Sequence, residues 1–364
     1  MAKIPEQKYD ITISKMKDEI EKKYNEEFEK RNYLGMSQIG EECWRKLFYS
    51  YRKARPHSLH INSILAIEDG YKQEKEAISR LSLLPGALLK TENEDEDGEQ
   101  IGFKDFNGHF SGHCDGIISG LQESKQEHIW EHKSVNESKF NKLIKLRHEK
   151  GEKEALKEWD IVYYAQAQMY MRYSKLKNHF LTVSLPGGRD YISIRTKYDK
   201  KYADIIVEKA DTIINDNWNI PAKLSDKREF YKCKWCDYSG ICHDGEFPEV
   251  NCRTCRYSSP VQNGEFECLK IEAKANISEC DFHVYNPALI DSICIEQVQD
   301  GVIYKKSDGT IWANYDKGGF PDDEKIEIFY SSLELYEKIK NIHNIKTIDK
   351  KAEEVKKKFK GGLI

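Results

Sequence analysis

GHFSGHCDGIIS (108–119), EHIWEHKS (127–134) and YYAQAQMYM (163–171) decide how this chain reads. The first two predict strands: Ile117 and Ile118 close one apolar run, and in the second Ile129, Glu131 and Lys133 alternate with Trp130 and His132. In a strand, residues i and i+2 share a face about 6.6 Å apart. Glu131 and Lys133 therefore point the same way, and pairing the two strands brings Asp115 to that side. Carboxylate oxygens are hard ligands suited to Mg²⁺ or Mn²⁺, which keep several waters and complete their shell with a phosphate. Such an ion polarises a phosphoryl oxygen and acidifies a bound water, while a lysine orients that water or balances charge in the transition state. The pattern predicts metal-assisted phosphodiester hydrolysis, against the plainer alternative of an Asp-Gly turn and a surface Glu-x-Lys pair. Gln166 and Tyr170, four apart on a predicted helix, share a face on which an amide and a phenol reach a phosphate or a base.

Asp115 in GHCDG, Glu131-His132-Lys133 and the Gln166 to Tyr170 pair, in that order, resemble the RecB-type branch of the PD-(D/E)XK nuclease superfamily. The resemblance spans roughly Ser37 to His243. It implies an α/β fold of the restriction-endonuclease-like type, a mixed sheet flanked by helices with an αβββαβ core. It makes Asp115 and Glu131 metal ligands, Lys133 the catalytic lysine and His132 a ligand through its backbone carbonyl, with Gln166 and Tyr170 beside the site and the DNA. A helix expected over 61–83 carries a stripe of Ile64, Ile67, Tyr71, Glu74, Ile78 and Leu81, in which Glu74 is the misfit. In the family an acidic residue or histidine one turn after a glycine completes the metal site, and Gly70 to Glu74 fits that place. A salt-bridged glutamate at the margin of the stripe is the alternative.

At 364 residues the chain accommodates one large domain and a smaller one. Charged residues make up 33% of it, yet the net charge is −4, so DNA binding needs a local basic patch and not a global field. No apolar run reaches the ~18 residues that span a bilayer and no signal-peptide core opens the sequence, so a soluble, cytoplasmic protein without membrane partners is expected. The acidic run ENEDEDGE (92–99) predicts a solvated hairpin loop, since like charges resist burial. Residues 1–33 predict a solvated charged helix without chemistry. Residues 137–159 predict one highly charged helix and 160–175 the helix that bears Gln166 and Tyr170; 180–196 predict a hairpin, 198–218 an amphipathic helix, and GVIYKK (301–306) and TIWANYD (310–316) short strands joined by an Asp308-Gly309 turn.

In MSQIGEECWRKLFYSYRKAR (36–55), aromatic and basic residues interleave on a helix expected to be capped by Ser37. Arg45, Tyr49 and Arg52 are the expected DNA contacts, with a core-facing aromatic stripe as the alternative. The Ser-x-Ile-Gly-x-x-Cys-x-Arg pattern here resembles the opening helix of RecB-like nucleases whose upstream cysteine joins a distant group of three.

That group is Cys233, Cys236 and Cys242, and Cys43 is the best fourth partner. The arrangement resembles the iron–sulfur staple of AddB, the Dna-two helicase-nuclease and CRISPR-associated RecB-like enzymes. It implies a structural [4Fe–4S] cluster; zinc, with the same ligands or with His243 replacing Cys43, competes. In a reducing compartment clustered thiols hold metal more often than they form disulfides. Cys252-x2-Cys255, followed by Cys268 and Cys280, predicts a structural zinc module in which Cys280 and His283 compete as fourth ligand. Cys114 and Cys294 read as packed core thiols.

The expected organisation is a charged helix at 1–36, a RecB-like nuclease domain at 37–245, a cysteine-rich module at 246–290 and a small β/α extension at 291–364. The expected function is a Mg²⁺- or Mn²⁺-dependent deoxyribonuclease, an exonuclease acting on DNA ends or single strands in a recombination, repair or CRISPR-adaptation setting, with a protein of such a pathway as partner. The alternative from another class is a non-catalytic DNA-binding or protein-interaction scaffold organised by metal clusters.

Overall fold

The strand signals of residues 116–134 and 178–197 come together in one five-stranded mixed sheet, whereas Phe110–His113, expected as part of the same strand as Ile117 and Ile118, joins a separate three-stranded sheet with Leu34–Gly35 and Gly102–Asp105. A computed structural model describes residues 10–27, 31–56, 58–93, 98–215, 219–275, 280–290, 292–306, 309–317, 319, 326 and 328–337. The chain forms two compact units, Met1–Arg31 with His57–Gly102 and His113–Asp199, and Asn32–Pro56 with Phe103–Gly112 and Lys200–Ile364. This division does not follow the linear boundaries expected from the sequence. One reason is that Leu34–Gly35 pairs in parallel with Phe110–His113, a partner far along the chain.

In the first unit, helices α1 (Ile11–Glu27) and α2 (Ile61–Leu81) precede the sheet. Its strands run β1 (Leu88–Lys90), β2 (Gly116–Ser119), β3 (His128–Ser134), β4 (Asn178–Ser184) and β5 (Tyr191–Lys197), in that spatial order. All neighbours are antiparallel except β3 and β4. A parallel pair needs a long crossover, here helices α3 (Glu137–Lys150), α4 (Glu152–Trp159) and α5 (Ile161–Ser174). The single charged helix expected over 137–159 is broken at Gly151, whose φ of 78° suits glycine. Asp160 then caps α5, its carboxylate accepting from the amides of Val162 and Tyr163 at 2.9 and 3.1 Å. Helix α1 buries none of its residues, as expected, but Glu21 accepts from the Ile61 amide at 2.8 Å and so caps the start of α2.

The face of α2 differs from the expected stripe. Ile61, Ile64, Gln73 and Ala77 are buried, whereas Tyr71 is 62% exposed. Ala77, with Ile78 and Leu81, packs on Ile118, Trp130 and Phe180. The small alanine lets the helix approach Trp130 in a way that a stripe built from large side chains cannot anticipate.

In the second unit the helix of 36–55 starts at Trp44, with Cys43 at the N-cap, not at Ser37. Residues 36–40 form a turn that buries Met36 and Ile39 completely. The amphipathic helix Lys200–Asn215 packs against Trp44–Tyr51. Beyond the cysteine-bearing turns lie a small meander (Ser258–Pro260, Phe266–Cys268, Ala273–Lys274) and a four-stranded sheet that includes Gly301–Lys305 and Ile311–Tyr315. The latter two strands were expected. Their sheet closes over Phe247, Tyr285, Tyr304 and Trp312, the last two stacked with ring centroids 4.6 Å apart. Cys114 is fully buried and Cys294 half-buried, as core thiols. Half of the acidic run (94–97), Asp308 of the expected turn and the tail 338–364 lie outside the described residues. Among the described residues no helix is long and apolar enough to cross a membrane.

Candidate active site

Strand β3 divides its side chains between two environments. Trp130, His132 and Ser134 turn toward α2, where the Ser134 hydroxyl donates to Asp69 at 2.9 Å. Glu131 and Lys133 lie on the opposite face, toward α5. Pairing Gly116 with Trp130 places Asp115 beside Glu131 at the end of β2. Gly116 is required there because a Cβ would stand 2.6 Å from the Lys90 carbonyl oxygen of β1.

Asp115 accepts from the His132 amide at 2.7 Å, and its own amide donates to Glu131 Oε1 at 3.4 Å. Lys133 Nζ donates to Glu131 Oε2 at 2.7 Å, and Gln166 Nε2 donates to the same oxygen at 3.2 Å and to the Tyr170 hydroxyl at 3.1 Å. Six of the expected site residues, His132 through its backbone amide, thus form one hydrogen-bonded group. Glu131 is 2% exposed and Tyr170 1%. Glu74 is half-buried on α2, close enough for the charges of Asp115 and Lys133 to act on it.

The electrostatics of this group are those of too many carboxylates in too little water. Burial, then repulsion from Asp115, pushes Glu131 up to about 8 and Glu74 up to about 7. Burial pulls the Lys133 ammonium down, but the charges of Glu131 and Asp115 outweigh it and hold it above its usual range. The positive charge facing Glu131 is therefore that of Lys133. Among the described residues no group of three or more His, Cys, Asp or Glu side chains is arranged to hold a metal ion.

The His132 ring lies away from the carboxylates. Its Nδ1 is 3.0 Å from the Thr182 hydroxyl and its Nε2 3.1 Å from that of Ser184; burial, then the charges of Lys133 and Arg80, pulls it down to about 4, so it is neutral. Thr182 also donates to the Glu131 carbonyl oxygen at 3.2 Å, pinning the strand between the two ligand candidates. Nothing in the sequence marks Thr182 or Ser184, since hydroxyls are common in strands. Tyr163 was legible but missed. It sits three residues before Gln166 on the same helix, and its ring centroid is 5.6 Å from Lys133 Nζ and 4.5 Å from Lys139 Nζ.

The expected DNA contacts are corrected. Arg52 is fully buried among the rings of Phe48, Tyr51 and Phe266, and Tyr49 is 2% exposed beside Tyr238. Arg45 is buried, its Nε donating to the Pro221 carbonyl at 2.7 Å and its Nη1 lying 3.9 Å from Cys242 Sγ. No phosphate reaches these side chains. The aromatic residues of the segment are core, and the arginines among them are held by packing and carbonyl oxygens.

The first cysteine group is gathered within the second unit. Cys43 stands at the start of Trp44–Tyr51, Cys233 and Cys242 lie in the short helices Tyr231–Lys234 and Ser239–His243, and Cys236 lies between them. Burial raises the thiols of Cys233, Cys236 and Cys242, and the charge of Cys43 raises each further. Arg45 beside Cys242 and Lys46 near Cys236 act the other way.

No family model and no curated protein matches the chain. Among solved structures, an alkaline exonuclease from Laribacter hongkongensis is 14% identical, over 50% of this chain and 87% of that one, with a TM-score of 0.36. A phage-related exonuclease from Haemophilus somnus 129PT is 17% identical, over 41% and 68% of the two chains, with a TM-score of 0.29. Likeness at this level leaves the functional reading to the geometry of the site.

Proposed function

We propose that the chain is a divalent-metal-dependent deoxyribonuclease that hydrolyses phosphodiester bonds at DNA ends or in single strands, as an exonuclease. The observation that carries this reading is the convergence of Asp115, Glu131 and Lys133 at one end of β2 and β3, backed by Gln166 and Tyr170 from α5. Asp115, Glu131 and Glu74 would hold Mg²⁺ or Mn²⁺, with the His132 carbonyl as a further ligand. The donor chemistry fits: hard oxygens that burial and mutual repulsion leave short of positive charge gain most from a divalent cation. When bound, the ion supplies Lewis-acid polarisation of the phosphate and a more acidic water. Lys133, fixed on Glu131, stays charged and stabilises the phosphorane-like transition state. Gln166 holds Glu131 and Tyr170 in register, so that the carboxylate presents one orientation.

A [4Fe–4S] cluster, or zinc in its place, belongs to the same reading at Cys43, Cys233, Cys236 and Cys242. Three thiols each within electrostatic reach of Cys43, with Arg45 beside one of them, fit such a group, whose role is to tie segments distant in sequence. A recombination or CRISPR-adaptation partner is carried by no residue of the site.

The test uses end-labelled single-stranded, duplex and closed circular DNA with Mg²⁺, Mn²⁺ or chelator, comparing the wild type with Asp115→Asn. Loss of linear DNA from its ends, spared circles and an inert variant are expected. Cleaved circles would make the enzyme an endonuclease, and no metal-dependent cleavage by folded protein would overturn the proposal.

A further inference from the structure

The second cysteine group lines a cavity of ≈ 20 Å³ whose wall includes Cys252, Cys255, Cys268, Cys280 and His283. A void of that size admits one small ion or one water. Cys252 opens the turn Cys252–Thr254 and Cys255 follows it, Cys268 ends the strand Phe266–Cys268, and the His283 amide donates to the Cys280 carbonyl at 3.1 Å.

The His283 tautomer follows from its neighbour. Nε2 lies 3.0 Å from Thr254 Oγ1. The single proton of that hydroxyl is directed at backbone carbonyls, those of Glu249 at 2.7 Å and Asn251 at 2.9 Å. Toward His283 the hydroxyl can only accept, so the ring proton is on Nε2 and Nδ1 carries the lone pair. His283 is 2% exposed, and Nδ1 has no hydrogen-bond partner among the described residues. A buried acceptor left bare costs about 1–3 kcal/mol. Metal ligation removes that cost, and a ring N–H anchored to a neighbour is how ligating histidines are oriented.

We propose that Cys252, Cys255, Cys268 and His283 Nδ1 bind one Zn²⁺ as a closed tetrahedral site, with Cys280 outside the ligand set. Cys280 is half-exposed and needs no partner, whereas Nδ1 of His283 does. No three of these groups stand in ligating geometry among the described residues, so the thiols turn inward by side-chain rotation within the cavity that they line. Each of the three thiols releases one proton on binding and the imidazole stays neutral. This site does not depend on the nuclease reading.

The full chain, stripped by chelator under reducing conditions, is titrated with Co²⁺ and back-titrated with Zn²⁺. The difference from Cys252→Ser isolates this site from the other cysteine group. The wild type is expected to bind one more equivalent than Cys252→Ser, with the visible bands of tetrahedral Co²⁺ bound by three sulfurs and one nitrogen. His283→Gln weakens this binding at least tenfold, Cys280→Ser leaves it unchanged, and His283→Cys restores it with stronger thiolate charge-transfer absorption, which a misfolded chain cannot give. Loss of the bands in Cys280→Ser, or equal metal content in the wild type and Cys252→Ser, overturns the assignment.

Discussion

Replacing Glu131 by glutamine changes one charge and almost no volume, and the site sets its effect. Both carboxylate oxygens accept: Oε2 from Lys133 at 2.7 Å and Gln166 at 3.2 Å, Oε1 from the Asp115 amide at 3.4 Å. An amide must turn its NH₂ toward one of these donors. The longer contact to Asp115 is the cheaper choice, and one buried donor left unsatisfied costs about 1–3 kcal/mol. Relief of the repulsion between Asp115 and Glu131 offsets part of that, so Glu131→Gln should lose only about 1 kcal/mol of stability, a few degrees in Tm at most. Chemistry should suffer far more. A metal ligand whose charge supports several kcal/mol of transition-state stabilisation is lost, which is about three powers of ten in rate. The assay is single-turnover cleavage of end-labelled duplex at saturating Mg²⁺, with thermal melting and DNA-binding anisotropy alongside. A variant that melts normally and cuts within about threefold of the wild type would refute the carboxylate–metal reasoning.

Three further outcomes are expected. Gln166→Ala removes both buried hydrogen bonds of the amide, so cleavage should fall about 10–100-fold, with about 2–3 kcal/mol of stability lost, as read by kinetics and urea unfolding. His179 is buried with neither ring nitrogen hydrogen-bonded among the described residues, and burial pulls it down to about 3. The unfolded chain then binds a proton that the folded chain refuses between pH 6.5 and about 3. Stability is lost as pH falls through that window, about 3 kcal/mol of it by pH 4, and His179→Leu should flatten this part of the unfolding profile. Cys43→Ser should lower the iron content and visible absorption of anaerobically purified protein; an unchanged cluster would remove Cys43 from the ligand set.

Local chemistry is what the sequence displays, and there it was legible. Two-residue periodicity in EHIWEHKS put Glu131 and Lys133 on one face, and four-residue spacing put Gln166 beside Tyr170. Asp160 as a cap and Gly151 as a break are equally local, although the break was passed over. The arginine-aromatic stretch misled, because interleaved charge and rings look the same on a DNA surface and in a core. Only the packing of Phe266 on Arg52, and of Pro221 and Cys242 on Arg45, distinguishes them.

Strand and helix periods, turn residues and the cysteine spacings are properties of neighbours in the chain, and the sequence by itself determined them: the mixed α/β character, the order of the core elements and the membership of the carboxylate group. The tertiary structure alone decided how the chain divides into units, since the pairing of Leu34 with Phe110 joins segments that no local pattern links. It also decided which face of α2 is buried, which hydroxyls hold His132, and that Nδ1 of His283 is left bare beside the cysteines. Each of these depends on what stands opposite a side chain in space, and burial and hydrogen-bond satisfaction are settled there and not along the chain.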